Sequence, residues 1–195
     1  MKLKMKHYLL LISTLFCGGS LLAEGASASM LAANCAGCHG PNGVTNGPAI
    51  PSIAGMTEEY LVLSMQDYKA GTRASTVMTR IAKGYSDDDI KAMAKHFSSK
   101  KFVSLNQSGD ASMIAKGEEL QRTYCQSCHE KSGALADGIG VLAGQATPYL
   151  TYTINDFMSD TRPMERRKKQ KMDQLLKEAG EEGFQAIVQY YGSQK

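Results

Sequence analysis

The sequence predicts an all-α protein with two similar domains in tandem, produced by duplication of one unit. Three observations favour this fold class. Residue patterns recur about 90 positions apart along the 195-residue chain, as expected for an internal repeat. Apolar residues recur at helical spacing, and no stretch alternates convincingly with the two-residue period of a strand. Each unit is small enough for its protein core to be marginal, so we expect a bound apolar group to complete it.

The repeat consists of matching residues that keep the same spacing in each half. Ile53-Ala54-Gly55 and Leu142-Ala143-Gly144 are each followed, five residues after the glycine, by Tyr-Leu. Seven residues beyond that tyrosine stands an aspartate, and twelve residues beyond it stands Thr-Arg. The matching residues are Tyr60 and Tyr149, Asp67 and Asp156, and Thr72-Arg73 and Thr161-Arg162. We therefore predict domains at residues 27–99 and 110–195, joined by a linker at residues 100–109.

Apolar stripes and capping residues predict where the main helices lie. Thr57 precedes two acidic residues that suit the positive end of a helix. Ser86 and Asp89 have the spacing of a capping box. Thr147 is predicted to cap a helix whose first residue is Pro148. The stripes are Leu61, Met65 and Tyr68; Leu150, Ile154 and Phe157; Ile90, Met93, Ala94 and Phe97; and Phe184, Ile187, Val188 and Tyr191.

Residues 1–23 are predicted to be a secretory signal peptide, which implies export to the periplasm. Residues 1–6 carry three lysines and no acid, and the apolar run at residues 9–16 is too short for a membrane span. We expect cleavage after Ala23, with Ala28 as the alternative. Cys17 should leave with the leader, because the bulky residue before it does not suit a lipoprotein cleavage site.

Removal of this leader changes the charge and the cysteine content. The full chain has 22 Lys and Arg against 19 Asp and Glu, and three of the lysines lie in the leader, so the charge falls from +3 to 0. The basic balance of the full chain therefore indicates no nucleic-acid partner. Four of the 5 cysteines remain, and all four lie in two copies of one motif. None is left for a structural disulfide.

That motif, C-x-x-C-H, occupies residues 35–39 and residues 125–129 and is the pattern of covalent c-type haem attachment. One copy alone is also compatible with a zinc half-site or a redox dithiol. Two copies in an exported, duplicated chain favour two covalently bound haem c groups. The predicted attachment residues are Cys35, Cys38, Cys125 and Cys128, and the predicted proximal iron ligands are His39 and His129.

Each haem iron needs a second axial ligand, for which a methionine sulfur is the candidate. The mature chain holds nine of the 11 methionines, so we choose the candidate ligands by their position in the repeat. Met78 follows the first Thr-Arg pair in a segment without a helical stripe, and Met164 follows the second pair and Pro163. We predict these two as ligands. Residues expected to lie in helices, mostly as core, are Met65, Met93, Met158 and Met172.

Two sets of cations have roles that the sequence leaves open. Arg73 and Arg162 recur in phase, and they either pair with haem propionates or lie at solvated helix ends. The run at residues 166–171 contains five cations and is expected to be a solvated face near the second haem. It could instead steer an acidic redox partner towards that haem.

Further stretches resemble the di-haem cytochrome subunit of flavocytochrome c sulfide dehydrogenase over nearly all of the mature chain. The resemblance implies two cytochrome-c-like (class I) haem domains, each with His/Met ligation of its iron. His39 and Met78 would then serve the first haem, and His129 and Met164 the second. The matching stretches are residues 30–31, 34–40, 74–78, 80–86, 142–145, 147–150 and 162–165.

The resemblance also implies partners and an electron path. A flavoprotein subunit, which alone would carry FAD, would oxidise sulfide and form a heterodimer with this chain. Electrons would pass from the flavin to the first haem, then to the second, and then to a small soluble cytochrome c. In such folds a proline carbonyl holds the proximal histidine ring. Gly47-Pro48 is the candidate for His39, whereas the matching Asp137-Gly138 offers His129 no proline.

Two other functions remain possible on the sequence alone. A free-standing di-haem electron carrier would have the same two-domain build but no flavoprotein partner. A di-haem peroxidase would need an iron open to peroxide, against which two available methionine ligands argue. We assign no catalytic residue to this chain, because the mature sequence has neither a cysteine outside the two motifs nor a G-x-G-x-x-G fingerprint.

Overall fold

The computed structural model describes residues 26–135 and 139–195, and these residues contain α-helices and no strand. The all-α prediction is therefore confirmed for them. The predicted signal peptide, with Cys17 and the cleavage site at Ala23, lies outside the described residues. The α-helices are α1 (Ala28–Ala33), α2 (Ala36–His39), α3 (Glu58–Ala70), α4 (Met78–Ala82), α5 (Asp87–Ser98), α6 (Ala111–Leu120), α7 (Glu130–Gly133), α8 (Thr147–Met158) and α9 (Arg166–Ser193). Within this described part, no helix is long and apolar enough to cross a membrane.

Two of the three predicted helix starts are confirmed. The Thr57 side chain accepts a hydrogen bond from the backbone of Tyr60 at the start of α3, and Ser86 with Asp89 forms the capping box of α5. The prediction at Thr147 is wrong by one residue, because Thr147 is the first residue of α8 rather than its cap. The reason is a distant partner: the amide and hydroxyl groups of Thr147 both donate to Oε1 of Gln107, at 2.9 Å and 3.1 Å.

The first half of the chain (residues 26–99) is built where α1 and α3 pack against α5. The predicted apolar stripe of α5 faces this contact, and all four of its members are buried. They join two clusters that also contain Leu31 from α1 and Leu61 from α3. The helical periodicity of residues 90–97 therefore locates the core of this half correctly.

The second half (residues 110–195) repeats the arrangement with α6 packed against α9. The contact is close, since a Cβ atom on Gly117 of α6 would collide with the backbone carbonyl of Ala186 on α9. The predicted stripe of α9 is confirmed, because all four of its residues are buried in the core of this half. A kink at Gly180, where φ is 66°, divides α9 into an outer segment and this core segment.

Matching hydrogen bonds in the two halves support their origin by duplication. In each half one glycine carbonyl accepts hydrogen bonds from two consecutive backbone amides, and an arginine amide donates to an aspartate carbonyl. The first half pairs Gly43 with Ile53 (2.8 Å) and Ala54 (3.1 Å), and Asp67 with Arg73 (3.2 Å); the second pairs Gly133 with Leu142 (2.8 Å) and Ala143 (3.1 Å), and Asp156 with Arg162 (3.1 Å).

The two halves meet through side chains at matching positions. Gln145, which is fully buried, accepts a hydrogen bond from the amide of Ser52 at 2.9 Å and donates to the carbonyl of Ser52 at 3.0 Å. In return, the Met56 sulfur accepts from the amide of Val141 at 3.1 Å. Met56 and Gln145 differ by 89 positions, as do Ser52 and Val141. The matching loops of the two halves therefore bind each other, as expected for an approximate two-fold arrangement.

The segment predicted as the linker packs along the second half. The amide of Leu105 donates to the carbonyl of Gly144 at 2.8 Å, and Nε2 of Gln107 donates to the carbonyl of Gln145 at 2.8 Å. These contacts lie next to the loop that binds Ser52. The connection is thus held close to the interface between the halves.

Replacement of Gln145 by alanine should lower the free energy of unfolding by about 2–6 kcal/mol. Both backbone groups of Ser52 would lose their buried partner, and each buried unsatisfied group costs about 1–3 kcal/mol. Urea unfolding of the haem-loaded protein measures this change. The control Gln185→Ala removes an exposed glutamine and should shift the stability by about 0.5 kcal/mol or less. Equal midpoints for the two variants would contradict the prediction.

Candidate haem-binding sites

The two C-x-x-C-H motifs share a backbone hydrogen bond. The amide of His39 donates to the carbonyl of Cys35 at 2.8 Å, and the amide of His129 donates to the carbonyl of Cys125 at 2.8 Å. Each motif thus forms one helical turn with its histidine above its first cysteine. In both motifs the first cysteine is half-buried and the second, Cys38 or Cys128, is exposed.

The thiols differ from those of redox-active dithiols. Burial raises the pKa of Cys125 to about 11, and burial together with the nearby Cys38 raises the pKa of Cys35. The attacking cysteine of a reactive dithiol instead has a lowered pKa, because the thiolate is the active form. The burial of Cys35 and Cys125 therefore argues against a redox dithiol as the explanation of the motifs.

The His39 ring is held by a backbone carbonyl, although not by the predicted one. Its Nδ1 donates to the carbonyl of Pro51 at 2.8 Å, so the expectation of Gly47-Pro48 is wrong. The amides of residues 53 and 54 both bind the carbonyl of Gly43, which folds the loop back and turns residue 51 towards the ring. Burial lowers the pKa of His39, so its free Nε2 is available to a metal.

The His129 ring has a different environment. Burial, followed by the charge of Lys168, lowers the pKa of His129 to about 4, so its ring is neutral. Its buried Nδ1 has no hydrogen-bond partner within the described residues. The predicted counterpart Asp137-Gly138 lies outside those residues. The position 89 residues after Pro51 is Gly140, whose φ is 77° and on which a Cβ would lie 2.9 Å from the Tyr60 ring.

A cavity of about 530 Å³ brings the second set of predicted residues together. Cys125, Cys128, His129 and Met164 all line it, and so does Met172. Its remaining wall is largely apolar and includes side chains from both halves of the chain. These include Met56 and Tyr60 from the first half, and Leu150, Phe157, Leu175 and Ile187 from the second.

The same cavity reduces the choice of methionine in the second half. Met158 lines a separate cavity of about 410 Å³ between α8 and α9, away from the C-x-x-C-H motif. Among the methionines of the second half, only Met164 and Met172 lie with His129 around the larger space. As the sequence predicts, Met164 lies in a non-helical segment, just before α9.

The residues of the first site are positioned by α2 and α4. Met78 is half-buried, and its amide donates to the hydroxyl of Ser75 at 3.0 Å. Met78, which the sequence places in a segment without a helical stripe, is the first residue of the five-residue helix α4. Neither of the two cavities described above is lined by Cys35, Cys38, His39 or Met78.

Two arginines at matching positions each contact a tyrosine of the other half. Nη2 of Arg73 donates to the Tyr149 hydroxyl at 3.3 Å, and Nη2 of Arg162 donates to the Tyr60 hydroxyl at 3.3 Å. Each guanidinium also stacks on an aromatic ring of its own half, at 4.5 Å for Arg73 and 4.3 Å for Arg162. The repeated Tyr and Arg positions were visible in the sequence, but the exchange of partners between halves is a non-local feature that no spacing reveals.

This arrangement leaves buried positive charge in the wall of the cavity. Arg73 is 4% exposed, so a solvated helix end is the wrong explanation for it. Its Nε has no hydrogen-bond partner, and neither arginine forms an ion pair, among the described residues. Burial alone would raise the pKa of Tyr149, but the charges of Arg73 and Arg162 lower it to about 8. Such a site is complementary to an anion.

These features together fit a haem c group. The cavity supplies two thiols for thioether bonds, a neutral imidazole, a methionine sulfur and apolar walls, and the arginines can pair with propionate carboxylates. A bound haem would supply one-electron redox chemistry. The protein residues would attach it, orient it, exclude water and balance its charge.

Comparisons with known proteins agree with this assignment. A family model described as cytochrome c matches residues 23–101. The chain is 34% identical over 149 residues to cytochrome c4 of Pseudomonas aeruginosa, which covers 71% of this chain and 73% of that protein. It is 46% identical over 68 residues to the cytochrome subunit of sulfide dehydrogenase of Chlorobaculum tepidum, covering 35% of this chain and 61% of that one.

A solved structure extends the similarity to the whole fold. Reduced recombinant cytochrome c4 from Pseudomonas stutzeri superposes with a TM-score of 0.75 at 26% identity, covering 88% of this chain and 100% of that chain. The predicted tandem cytochrome-c-like fold is thereby confirmed. The chain belongs to the cytochrome c family, as a di-haem electron-transfer protein related to cytochrome c4.

Proposed function

We propose that this chain is the periplasmic electron-transfer subunit of a sulfide-oxidising flavocytochrome. Each C-x-x-C-H motif holds one covalent haem c whose iron has one histidine and one methionine ligand. The observation that carries the proposal is the apolar cavity in which such a motif, a methionine and two arginines converge. The assigned residues are Cys35, Cys38, His39 and Met78 for the first haem, and Cys125, Cys128, His129 and Met164 for the second.

Transfer between the two haems within one chain is supported by the shared wall of the cavity. Met56, Tyr60 and Arg73 of the first half line the space next to the second motif. A group bound there would lie directly against the first half. The hydrogen bonds of Gln145 and Met56 fix this contact, so the distance between the two groups is set by packing and not by the linker.

Two protein ligands on each iron favour electron transfer over chemistry on small molecules. A thioether opposite an imidazole closes the iron and raises its reduction potential. Met164 and Met172 both lie at the cavity next to His129, so a sulfur ligand is available to the second iron. This makes a di-haem peroxidase, which needs an open iron, the weaker alternative.

The partner in this proposal is a flavoprotein that binds FAD and oxidises sulfide. The 46% identity to the cytochrome subunit of sulfide dehydrogenase, over 68 residues, supports this donor. Electrons enter at the first haem, cross to the second and leave to a small soluble cytochrome c. The charged and apolar order of residues 1–23 supports export to the periplasm.

A free-standing carrier of the cytochrome c4 type is the second candidate. It is favoured by the similarity to cytochrome c4, which extends over 71% of the chain. Such a carrier would need no flavoprotein and would exchange electrons with its donors only transiently.

Purification under mild conditions distinguishes the two candidates. We expect a flavoprotein to co-purify with this chain in a one-to-one complex, and sulfide to reduce the haems of that complex. Flavin fluorescence after denaturation and haem absorbance measure both properties. The isolated chain, separated from the flavoprotein, is the control and should be reduced by sulfide far more slowly. A chain that purifies with haem but without flavin would favour the free-standing carrier.

Removal of one motif at a time tests haem attachment. The variant Cys125→Ser/Cys128→Ser should keep one covalent haem, because Cys35 and Cys38 remain, and its mass should fall by one haem. The matched variant Cys35→Ser/Cys38→Ser should lose the other. Mass spectrometry of the purified proteins gives the result. Two haems in either variant would show that the motifs are not the attachment sites.

Substitution of the second-half methionines identifies the axial ligand. Met164→Ala should open the second iron and lower its reduction potential by on the order of 100 mV, since axial ligands set haem potentials over a range of about 0.8 V. Met172→Ala is the matched control, because Met172 lines the same cavity from within α9. Potentiometric titration and the weak methionine–iron absorption band report the ligand. A change in Met172→Ala alone would move the assignment to Met172.

A further inference from the structure

We propose that the basic face at the start of α9 is the docking surface for an acidic redox protein that exchanges electrons with the second half. The basic face consists of Arg166, Arg167, Lys168 and Lys171, all of which are exposed. The inference rests on the proposed haem site at residues 125–129. The new element is the acidic charge of the partner protein that would bind next to that site.

The basic face lies at the opening of the 530 Å³ cavity. Arg167, Lys168 and Lys171 line this cavity together with His129 and the exposed Cys128. A protein bound on this face would therefore lie beside the exposed thiol to which we assign the second haem.

Most of the charge on this face is free to act on a partner. Lys168 is paired with Glu165 at 3.5 Å, whereas Arg166, Arg167 and Lys171 form no ion pair within the described residues. Residues 160–173 contain six cations and three acids, a net charge of +3, although the chain without its leader has a net charge of 0. The positive potential is thus local, and it surrounds the opening of one site.

The position of these cations is unfavourable for the helix itself. The first turn of α9 carries no acidic residue, whereas α3 begins with Glu58 and Glu59. Cations near a helix N-terminus are repelled by the positive end of its dipole. A local choice that opposes helix stability is typical of a surface used for function.

The matching surface of the first half has a different character. Val77 is 53% exposed and Ile81 is 40% exposed, and Arg80 is the one cation of α4. The duplication has therefore produced two surfaces of different chemistry. Electrostatic attraction would direct an acidic partner to the second half, since such attraction raises association rates for complementary charges.

Stopped-flow kinetics test the inference on the haem-loaded protein, after mass spectrometry has established that both haems are attached. The reduced protein is mixed with an acidic plastocyanin, a small one-electron acceptor, at low and at high ionic strength. The rate constant should fall as salt rises. Arg166→Glu/Arg167→Glu/Lys171→Glu should lower the low-salt rate constant at least tenfold and reverse or remove its salt dependence.

A variant with the same change in net charge is the control. Lys95, Lys101 and Lys195 are exposed cations outside the basic face, and their joint replacement by Glu should leave the rate constant within about twofold. Equal losses in the two triple variants would overturn the inference, because total charge alone would then explain the effect. A salt-independent rate for the parent protein would overturn it too.

A membrane surface is the alternative occupant of a basic face. If phosphatidylglycerol vesicles bind the parent but not the triple variant, while plastocyanin kinetics stay equal, the docking inference fails. The outcomes also separate this inference from the haem assignment. A protein that carries no haem at residues 125–129 contradicts that site, whereas two haems with salt-independent electron transfer contradict the docking surface alone.

Discussion

The structure depends on two guanidinium groups that take partners from the other half, that of Arg73, which is buried, and that of Arg162, which is half-buried. Arg73 and Arg162 each stack on an aromatic ring of one half and donate to a tyrosine of the other. Phenols are neutral at pH 7, so the two positive charges stay uncompensated by any ion pair among the described residues. A buried cation is costly without an anion. The contact between the halves and the binding of a carboxylate-bearing group therefore stabilise each other.

Duplication gives the two halves the same fold, but their candidate sites are not equivalent. His39 donates from Nδ1 to a backbone carbonyl, whereas Nδ1 of His129 has no partner among the described residues. A hydrogen bond at Nδ1 makes the imidazole a stronger donor to its metal and fixes the ring. The position that carries Pro51 in the first half carries Gly140 in the second, and the Tyr60 ring occupies the space above it. The two halves therefore share a fold while the rings of His39 and His129 differ in their hydrogen bonding among the described residues.

The sequence predicts the features that depend on neighbouring residues and misses those set by distant ones. The capping box at Ser86 and the stripe of α5 follow from local spacing, and both are confirmed. Helix α8 begins one residue earlier than predicted, because the hydroxyl of Thr147 donates to Gln107, 40 positions away, and does not cap the helix. The His39 ring donates to the carbonyl of Pro51, because the Gly43 carbonyl binds the amides of the residues that follow Pro51 and so fixes the loop. Periodicity and motif spacing contain no information about such partners.

Arginine and lysine have two different tasks in this chain, and burial separates them. Arg73 is 4% exposed in the wall shared by the halves, where a cation can hold a carboxylate but cannot meet another protein. Arg167 and Lys171 are exposed where they line the cavity, and Arg166 is exposed next to Arg167; there they can attract a partner but would contribute little to stability. The sequence shows both sets only as basic residues near a repeated motif. Because a buried charge acts through desolvation and an exposed one through long-range attraction, the fold decides which cations can pair with a bound carboxylate and which can attract another protein.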